Sequence, residues 1–298
     1  LLSIGHSALD YIIRVPEFPK ANFSAPINDM KTFNGGAAAN VALVGANLGL
    51  KTSLVSAVGG DFKKSNYYEI MESLDVDTDS LIIVPGETSP TAFVLTDEND
   101  DQISYFYWGA AKEFASSKVP KNAISNVQAV HLATGDPHFN WKCSEEAKRQ
   151  ELLVSFDPGQ DLGMYDTDKL RDVITNTTIL FGNHYEIERI LESLEVDLDG
   201  LREIGPKIIV KTCGANGSEI YSNNDKIKVD AIVREAVDPT GAGDSYRAGF
   251  LSRFLNGESL EQSAKFASSV SSFIVEEQGC QTNMPTFDDA FDRMSEFY

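Results

Sequence analysis

The sequence predicts an α/β fold in which a doubly wound, mostly parallel sheet is accompanied by a small second sheet. Two observations carry this prediction. From about residue 111 onward, short apolar runs rich in β-branched residues alternate with amphipathic stretches of helical periodicity. Before that point, the alternation is interrupted twice by strand-like segments that follow one another closely.

The apolar runs after residue 111 are continuous, which is typical of parallel strands covered on both faces, and the amphipathic stretches between them indicate crossover helices. The candidate strands are 128–134, 151–156, 178–181 and 207–212, and the helical stretches between them lie near 141–150, 166–175 and 184–195. Three more helices are predicted at 243–256, 259–275 and 286–297, the second of them capped by Ser259.

The interruptions before residue 111 predict the small sheet. Segments 8–15 and 26–33 bracket a Pro-rich turn, and residues 91–108 form a hairpin whose polar turn lies at 97–101. An alternative is that these strands extend the edge of the main sheet.

The second strand of the hairpin carries apolar residues on both faces. Strict alternation puts Ile103, Tyr105 and Tyr107 on one face, and Ser104, Phe106 and Trp108 on the other. We therefore expect one face to cover a ligand cleft and the other to meet a partner subunit.

Composition excludes several classes of function. Among 298 residues, 45 are acidic and 25 are Lys or Arg, which gives a net charge of −20 and opposes binding to nucleic acids or anionic membranes. The cysteines lie far apart without a CxxC pair, so neither a disulfide framework nor a thiolate metal site is indicated, and the four histidines are scattered. The most apolar run, 35–50, is too short to span a bilayer and no signal peptide precedes it, so we expect a cytoplasmic protein.

The stretch "DPTGAGD", residues 238–244, has two interpretations. Gly241 and Gly243 let backbone N–H groups converge at the start of a helix, where an anion is favoured and where Asp244 should stay ionised and able to accept a hydroxyl proton. Alternatively, Asp244 is a helix cap and the glycines merely permit a turn. The pattern GxxxxGK[ST] occurs nowhere, so a phosphate site here is of another type.

Two stretches resemble the ribokinase-like, or PfkB, family of sugar and nucleoside kinases. "DPTGAGDSYRAGFL" resembles the C-terminal signature of that family, and "GGAAANVALVGANLG", residues 35–49, resembles its N-terminal signature. The resemblance covers essentially the whole chain and implies a ribokinase-like three-layer α/β/α core with a β-sheet lid. The implied large domain comprises residues 1–9, 35–84 and 109–298, and the implied lid comprises 10–34 and 85–108.

The resemblance also implies the residues of phosphoryl transfer. Asp244 matches the catalytic base, and Gly241, Ala242 and Gly243 match the anion hole for the transferring phosphoryl group. The family's N-x-x-E motif is present at Asn183 and Glu186, which implies that both residues help to place the phosphates and a Mg²⁺ ion held through water. The family resemblance implies ATP as donor.

Further implied positions surround the nucleotide. Thr212, Gly214 and Gly217 match ATP-binding positions, and Ser268 matches a position beside the adenine. A possible K⁺ site is implied at Asp238, Thr240 and Gly279.

For the acceptor, the resemblance implies that Asp10 holds two sugar hydroxyls and that Gly35, Gly36 and Asn40 contact the sugar. A carboxylate suits a vicinal diol because its two oxygens can accept both protons. Without the resemblance, the residues alone favour Asp10 as a strand-end surface residue and Asn40 as a polar residue on a helix of small side chains.

One departure from the family pattern bears on the acceptor. Many ribokinases have Lys after the glycine pair, whereas this chain has Ala37, which opens apolar room for a nucleobase. Phe106 and Trp108 could stack on such a base, or instead pack against the core. With "GHSALDYI" and "FYWGAAK", which look like archaeal nucleoside kinases, this predicts phosphorylation of a nucleoside 5′-hydroxyl. The apolar outer face of the lid predicts a homodimer joined through it.

Two other functions stay open at this point. The same machinery would serve a kinase of a free sugar such as ribose or fructose. A nucleotide-binding regulator without catalysis is the third hypothesis, although the presence of Asp244, the glycines, Asn183 and Glu186 argues against it.

Overall fold

The computed structural model describes residues 1–99, 101–222 and 225–298. Its strands are β1 (Leu2–Ile4), β2 (Ala8–Arg14), β3 (Asp29–Gly35), β4 (Ser53–Val55), β5 (Ala57–Gly59), β6 (Ile82–Val84), β7 (Thr91–Thr96), β8 (Gln102–Tyr107), β9 (Ala129–Leu132), β10 (Leu153–Phe156), β11 (Ile179–Asn183), β12 (Ile208–Thr212), β13 (Ser218–Ser222) and β14 (Asp225–Val229). Its α-helices are α1 (Ala37–Asn47), α2 (Asn66–Ser73), α3 (Lys121–Ser125), α4 (Pro137–Arg149), α5 (Thr167–Asn176), α6 (His184–Leu194), α7 (Leu198–Ile204), α8 (Ala242–Phe254), α9 (Leu260–Ile274) and α10 (Phe287–Phe297).

The large sheet has the strand order β14-β13-β12-β11-β10-β9-β1-β4. The strands from β12 to β4 pair in parallel, and β13 and β14 add antiparallel at one edge. Successive strand residues point to opposite faces. In β11, Leu180 packs into one buried cluster while Ile179 and Phe181 pack into another. The sheet is thus covered by helices on both sides, and the predicted three-layer α/β/α core is confirmed.

Four strands form a separate small sheet in the order β3-β2-β7-β8. It does not extend the edge of the main sheet, so that alternative is wrong. Across this sheet Asp10 is paired with Phe33 and Ala92, and Ala92 with Phe106, so these four residues share one face. We call it the inner face, because Phe106 contacts the His6 ring just after β1.

Most predicted elements lie where the residue pattern put them. Ser259 caps α9, its hydroxyl accepting from the Gln262 amide. One helix begins earlier than expected: α4 starts at Pro137 because Asp136 accepts the Phe139 amide and Pro137 suits the first helical position. The alternation that placed Trp108 in the hairpin strand ends one residue early, since Trp108 has helical backbone angles.

The described helices include none with the length and apolar character needed to cross a bilayer. Within the same residues, no group of three or more His, Cys, Asp or Glu is arranged to hold a metal ion, and the three cysteines are free thiols.

Candidate active site

The predicted site residues gather where the parallel strands end. Asn183 is the last residue of β11 and is paired with Thr212, the last residue of β12. Asp157 directly follows β10. Carboxyl ends of parallel strands meet at one edge of a sheet, which is where open α/β sheets bind ligands. The beginning of α8 supplies Asp244 to the same region, as its contacts show.

Asp244 lies in the first turn of α8 but does not cap it. Gly241 is the N-cap residue, and no side chain caps this helix. Instead, Asp244 Oδ2 accepts a hydrogen bond of 2.8 Å from Asn40 Nδ2 on α1. The capping alternative is therefore wrong. The Asp244 carboxylate instead faces α1.

Burial, rather than the helix N-terminus, has the largest effect on the pKa of Asp244. Burial raises the pKa of Asp244, the Arg247 guanidinium and the Asn40 hydrogen bond lower it, and Glu186 raises it further. An ionised Asp244 thus depends on Arg247 and Asn40 to offset desolvation, which the sequence did not predict.

The glycines around Asp244 allow close packing. Gly241 has a φ of 77°, and a Cβ there would overlap Cys280. A Cβ at Gly243 would overlap the Arg247 guanidinium. The Ala242 N–H donates to Pro239 O at 3.1 Å, so this predicted anion-hole amide already has a partner. The amides of Gly241 and Gly243 remain the candidate anion donors.

The predicted acceptor residues come together around one glycine pair. A Cβ at Gly35 would overlap the Asp10 carboxylate, so the carboxylate lies directly on this glycine. Gly36 has a φ of 92°, and a Cβ there would meet the backbone of residues 6–8. Asn40, one helical turn further, is buried and bonded to Asp244. The acceptor residues and the catalytic candidate thus form one site.

The state of Asp10 gives a testable pH dependence. Burial, followed by the negative charges of Asp244 and Asp238, raises the pKa of Asp10 to about 6. The carboxylate that would accept two hydroxyl protons is therefore lost as the pH falls through about 6. We expect kcat/KM to fall below that pH by about tenfold per unit, and Asp10→Asn to move this acidic limb. An unmoved limb in a folded Asp10→Asn variant would contradict the assignment.

Phe106 and Trp108 both lie against His6. Their ring centroids are each 5.1 Å from the His6 ring, and 5.6 Å from each other. Trp108 also packs on the buried cluster that contains Leu180, whereas Phe106 is 40% exposed. Of the two, Phe106 is therefore the better placed to meet a ligand.

Asn183 and Glu186 form a capping box at the start of α6. Asn183 Oδ1 accepts from the Glu186 amide at 2.9 Å, and Glu186 Oε2 accepts from the Asn183 amide at 2.7 Å. The N-x-x-E spacing thus has a structural role as a helix cap, which the spacing alone does not indicate. A role in holding Mg²⁺ stays a prediction.

The predicted nucleotide-binding residues lie near the edge of the main sheet formed by the antiparallel strands β13 and β14. Gly214 and Gly217 form the turn between β12 and β13, where Cys213 N–H donates to Gly217 O at 2.8 Å. Ser268 is buried, and its hydroxyl accepts from the Ile232 amide and donates to Asp230 O. Its proximity to an adenine stays a prediction.

The three residues of the possible K⁺ site are joined by Asp238. Its Oδ1 accepts from the Thr240 amide at 2.9 Å, and its Oδ2 accepts from the Gly279 amide at 3.0 Å. These bonds hold segment 279–281 beside the beginning of α8. Cation binding here stays a prediction.

A buried ion pair lies behind Asp244 and was not predicted from the sequence. Arg247, one turn along α8, pairs through Nε with the Asp157 carboxylate, and both residues are buried. Burial raises the pKa of Asp157 to about 7, which the Arg247 charge opposes. Two signals could have revealed the pair: Arg247 shares a helix face with Asp244, and Asp157 follows a buried strand.

A model described as "pfkB family carbohydrate kinase" matches residues 1–287. The chain belongs to the pfkB family of carbohydrate kinases.

Relatives of this pfkB kinase include two archaeal proteins named nucleoside kinase. The protein from Methanothermobacter thermautotrophicus is 57% identical over 295 residues, covering 99% of this chain and 95% of the relative. The protein from Methanocaldococcus jannaschii is 43% identical over 292 residues, covering 98% and 95%. A crystal structure of M. jannaschii nucleoside kinase superposes with a TM-score of 0.95, at 42% identity, covering 99% of this chain and 97% of that one.

Proposed function

We propose that this pfkB kinase transfers the γ-phosphoryl group of ATP to the 5′-hydroxyl of a ribonucleoside. The observation that carries the proposal is the Asn40–Asp244 hydrogen bond, which joins the acceptor helix to the candidate base. The relatives named nucleoside kinase, which match nearly the full chain, support the choice of acceptor.

In the proposed reaction, Asp10 accepts hydrogen bonds from the ribose 2′- and 3′-hydroxyls and so orients the sugar. Asp244 accepts the proton of the 5′-hydroxyl as its oxygen attacks the γ-phosphorus. The amides of Gly241 and Gly243 stabilise the negative charge of the transferring group. Phosphoryl transfer has a loose transition state, so positioning and electrostatics matter more than a strong base.

Glu186 and Asn183 fit a role in holding Mg²⁺ through water. The capping box uses Glu186 Oε2, which leaves Oε1 as the oxygen to accept from a metal-bound water. Mg²⁺ would neutralise charge on the phosphates. Asp238, Thr240 and Gly279 offer oxygen atoms suited to K⁺, and Thr212, Gly214, Gly217 and Ser268 line the proposed ATP site.

We further propose that the small sheet is a lid over the acceptor, made of residues 10–34 and 85–108. Its inner face carries Asp10 and Phe106 towards the site, and Phe106 would contact the nucleobase in the space that Ala37 leaves. Closure over the bound nucleoside would exclude water and so limit ATP hydrolysis. A cytoplasmic location fits this small-molecule chemistry.

The opposite face of the small sheet supports a homodimer. It exposes Phe93, Ile103, Tyr105 and Tyr107 together, with Tyr105 62% exposed. Contiguous exposed apolar side chains mark interaction surfaces.

We expect light scattering to give about twice the chain mass of 32.6 kDa, and Tyr105→Glu to shift it towards the monomer. Tyr185→Glu, at an exposed tyrosine on α6, is the control and should leave the mass unchanged. A monomeric wild-type protein would contradict the dimer.

A panel of acceptors tests the proposed function. Inosine, guanosine, cytidine and adenosine are compared with ribose and fructose, using ATP and Mg²⁺ with and without K⁺. We expect turnover of at least one nucleoside to exceed that of both sugars. Turnover of ribose or fructose alone would favour the sugar kinase, and ATP binding without any turnover would favour a regulator.

A further inference from the structure

A chain of hydrogen bonds runs from the acceptor glycines to the catalytic candidate. Tyr67 OH donates to Gly35 O at 2.7 Å. Gln281 Nε2 donates to Tyr67 OH and to Asn40 Oδ1, both at 2.8 Å. Asn40 Nδ2 then donates to Asp244 Oδ2, also at 2.8 Å. Gln281 therefore links the Tyr67–Gly35 hydrogen bond to the Asn40–Asp244 hydrogen bond.

The polarity of this chain is set at its two ends. The Gly35 carbonyl can only accept, so the Tyr67 hydroxyl donates its hydrogen there and can act only as an acceptor towards Gln281. Gln281 supplies the donor with its amino group, and the same group donates to Asn40 Oδ1. The amino group of Asn40 is consequently turned towards Asp244, whose carboxylate can only accept when ionised.

The reverse orientation of the Asn40 amide would be unfavourable. It would direct Oδ1 at the Asp244 carboxylate, so that two acceptors faced each other, and would remove a hydrogen bond that lowers the pKa of Asp244. Asp244 disfavours this orientation through its contact with Nδ2, and Gln281 disfavours it through its contact with Oδ1. The choice matters because a base must be aligned with the hydroxyl that it deprotonates.

Segment 279–281 is anchored well enough to serve this purpose. The Gly279 amide donates to Asp238, and Cys280 packs directly against Gly241. Gln281 therefore extends from backbone that already contacts the beginning of α8. It is only partly buried, while its partners Asn40 and Tyr67 are buried.

We propose that Gln281, with Tyr67 behind it, is a positioning residue that fixes the amide orientation of Asn40 and thereby the alignment of Asp244. Neither side chain touches the reacting atoms. This inference rests on the proposed function, in which Asp244 accepts the proton of the acceptor hydroxyl.

The test is a double-mutant cycle between Gln281→Leu and Asn40→Ala. With the nucleoside that the wild type phosphorylates best, we expect Gln281→Leu to lower kcat by roughly tenfold to a hundredfold, with the KM for ATP changed less than about threefold. In the Asn40→Ala background, the same substitution should have almost no further effect, because the group that it orients is gone. Equal losses of kcat in both backgrounds, or no loss in the first, would overturn the proposal.

Matched variants separate positioning from folding. Gln281→Glu is nearly isosteric but puts a carboxylate against Asn40 Oδ1, so it should lower kcat more than Gln281→Leu does. Gln278→Leu is the control, because Gln278 lies in the same loop and its side chain bonds only to the exposed Lys31 amine in the contacts described. Likewise Tyr67→Phe should lower kcat, whereas Tyr68→Phe on the same helix should not.

A measurement without turnover keeps the proposal independent of the acceptor. We expect the side-chain amide protons of Asn40, followed by NMR, to exchange slowly with solvent in the wild type and in Gln278→Leu. Gln281→Leu should speed that exchange at unchanged melting temperature. Unchanged exchange would overturn the positioning role. If the wild type phosphorylates no nucleoside but the exchange responds as expected, the proposed function fails and the network stands.

Discussion

Asp244→Asn is expected to lower kcat by roughly 10²- to 10⁴-fold, the usual contribution of a general base. The amide is nearly isosteric with the carboxylate, and its oxygen can still accept from Asn40 Nδ2. Binding of the nucleoside should therefore change little, while the proton of the attacking hydroxyl loses its acceptor. Steady-state kinetics at saturating ATP would measure this.

The control for this substitution is Asp168→Asn, since Asp168 is also an acid in the first turn of a helix, on the exposed surface of α5. It should leave kcat unchanged. Near-normal turnover of a correctly folded Asp244→Asn variant would show that the base has been assigned wrongly.

Arg247→Met is expected to destabilise the protein by about 3–5 kcal/mol, as is typical when one partner of a buried ion pair is removed. The substitution leaves Asp157 buried without its cation, beside the charges of Asp244 and Glu186. Urea denaturation followed by circular dichroism would measure the free energy of unfolding. The pKa of Asp244 should rise as well, because Arg247 is the main influence that lowers it.

Two further variants test the cause of that loss. Removing both charges, with Asp157→Leu and Arg247→Met together, should restore part of the stability because the Asp157 carboxylate is no longer buried without its cation, whereas Asp244 still lacks the Arg247 charge. Arg149→Met removes the exposed arginine of the Glu146 ion pair, whose guanidinium lies largely in solvent, and should cost far less. Equal destabilisation by Arg149→Met and Arg247→Met would contradict the argument from burial.

The sequence predicted the parts of the structure that local patterns determine. Strands β9 to β12 of the main sheet, the helices α6, α8, α9 and α10 and the glycine turn before α8 all follow from periodicity, caps and backbone freedom over a few residues. The family resemblance then indicated which of these local features lie together in one site.

The contacts that support the site were not predictable in this way. Asn40 and Gln281 are 241 positions apart, and Asp157 and Arg247 lie on different elements. Nothing in a stretch of ten residues distinguishes Gln281 from Gln278, although one side chain reaches the centre of the site and the other pairs with an exposed lysine. Asn183 and Glu186 show the converse difficulty, since one spacing serves both a capping box and a predicted metal site.

The short connections of the small sheet have a consequence for the order of events during turnover. Only residues 5–7 separate β1 of the main sheet from β2, which carries Asp10, and Gly36 alone separates β3 from α1, which carries Asn40. A rotation of the small sheet about these joints would move Asp10, which we propose holds the sugar diol, relative to Asp244 on α8. The attacking hydroxyl would then lie in line with the γ-phosphoryl group of ATP only after nucleoside binding had closed the small sheet onto the main domain. Binding of the acceptor would therefore have to precede phosphoryl transfer.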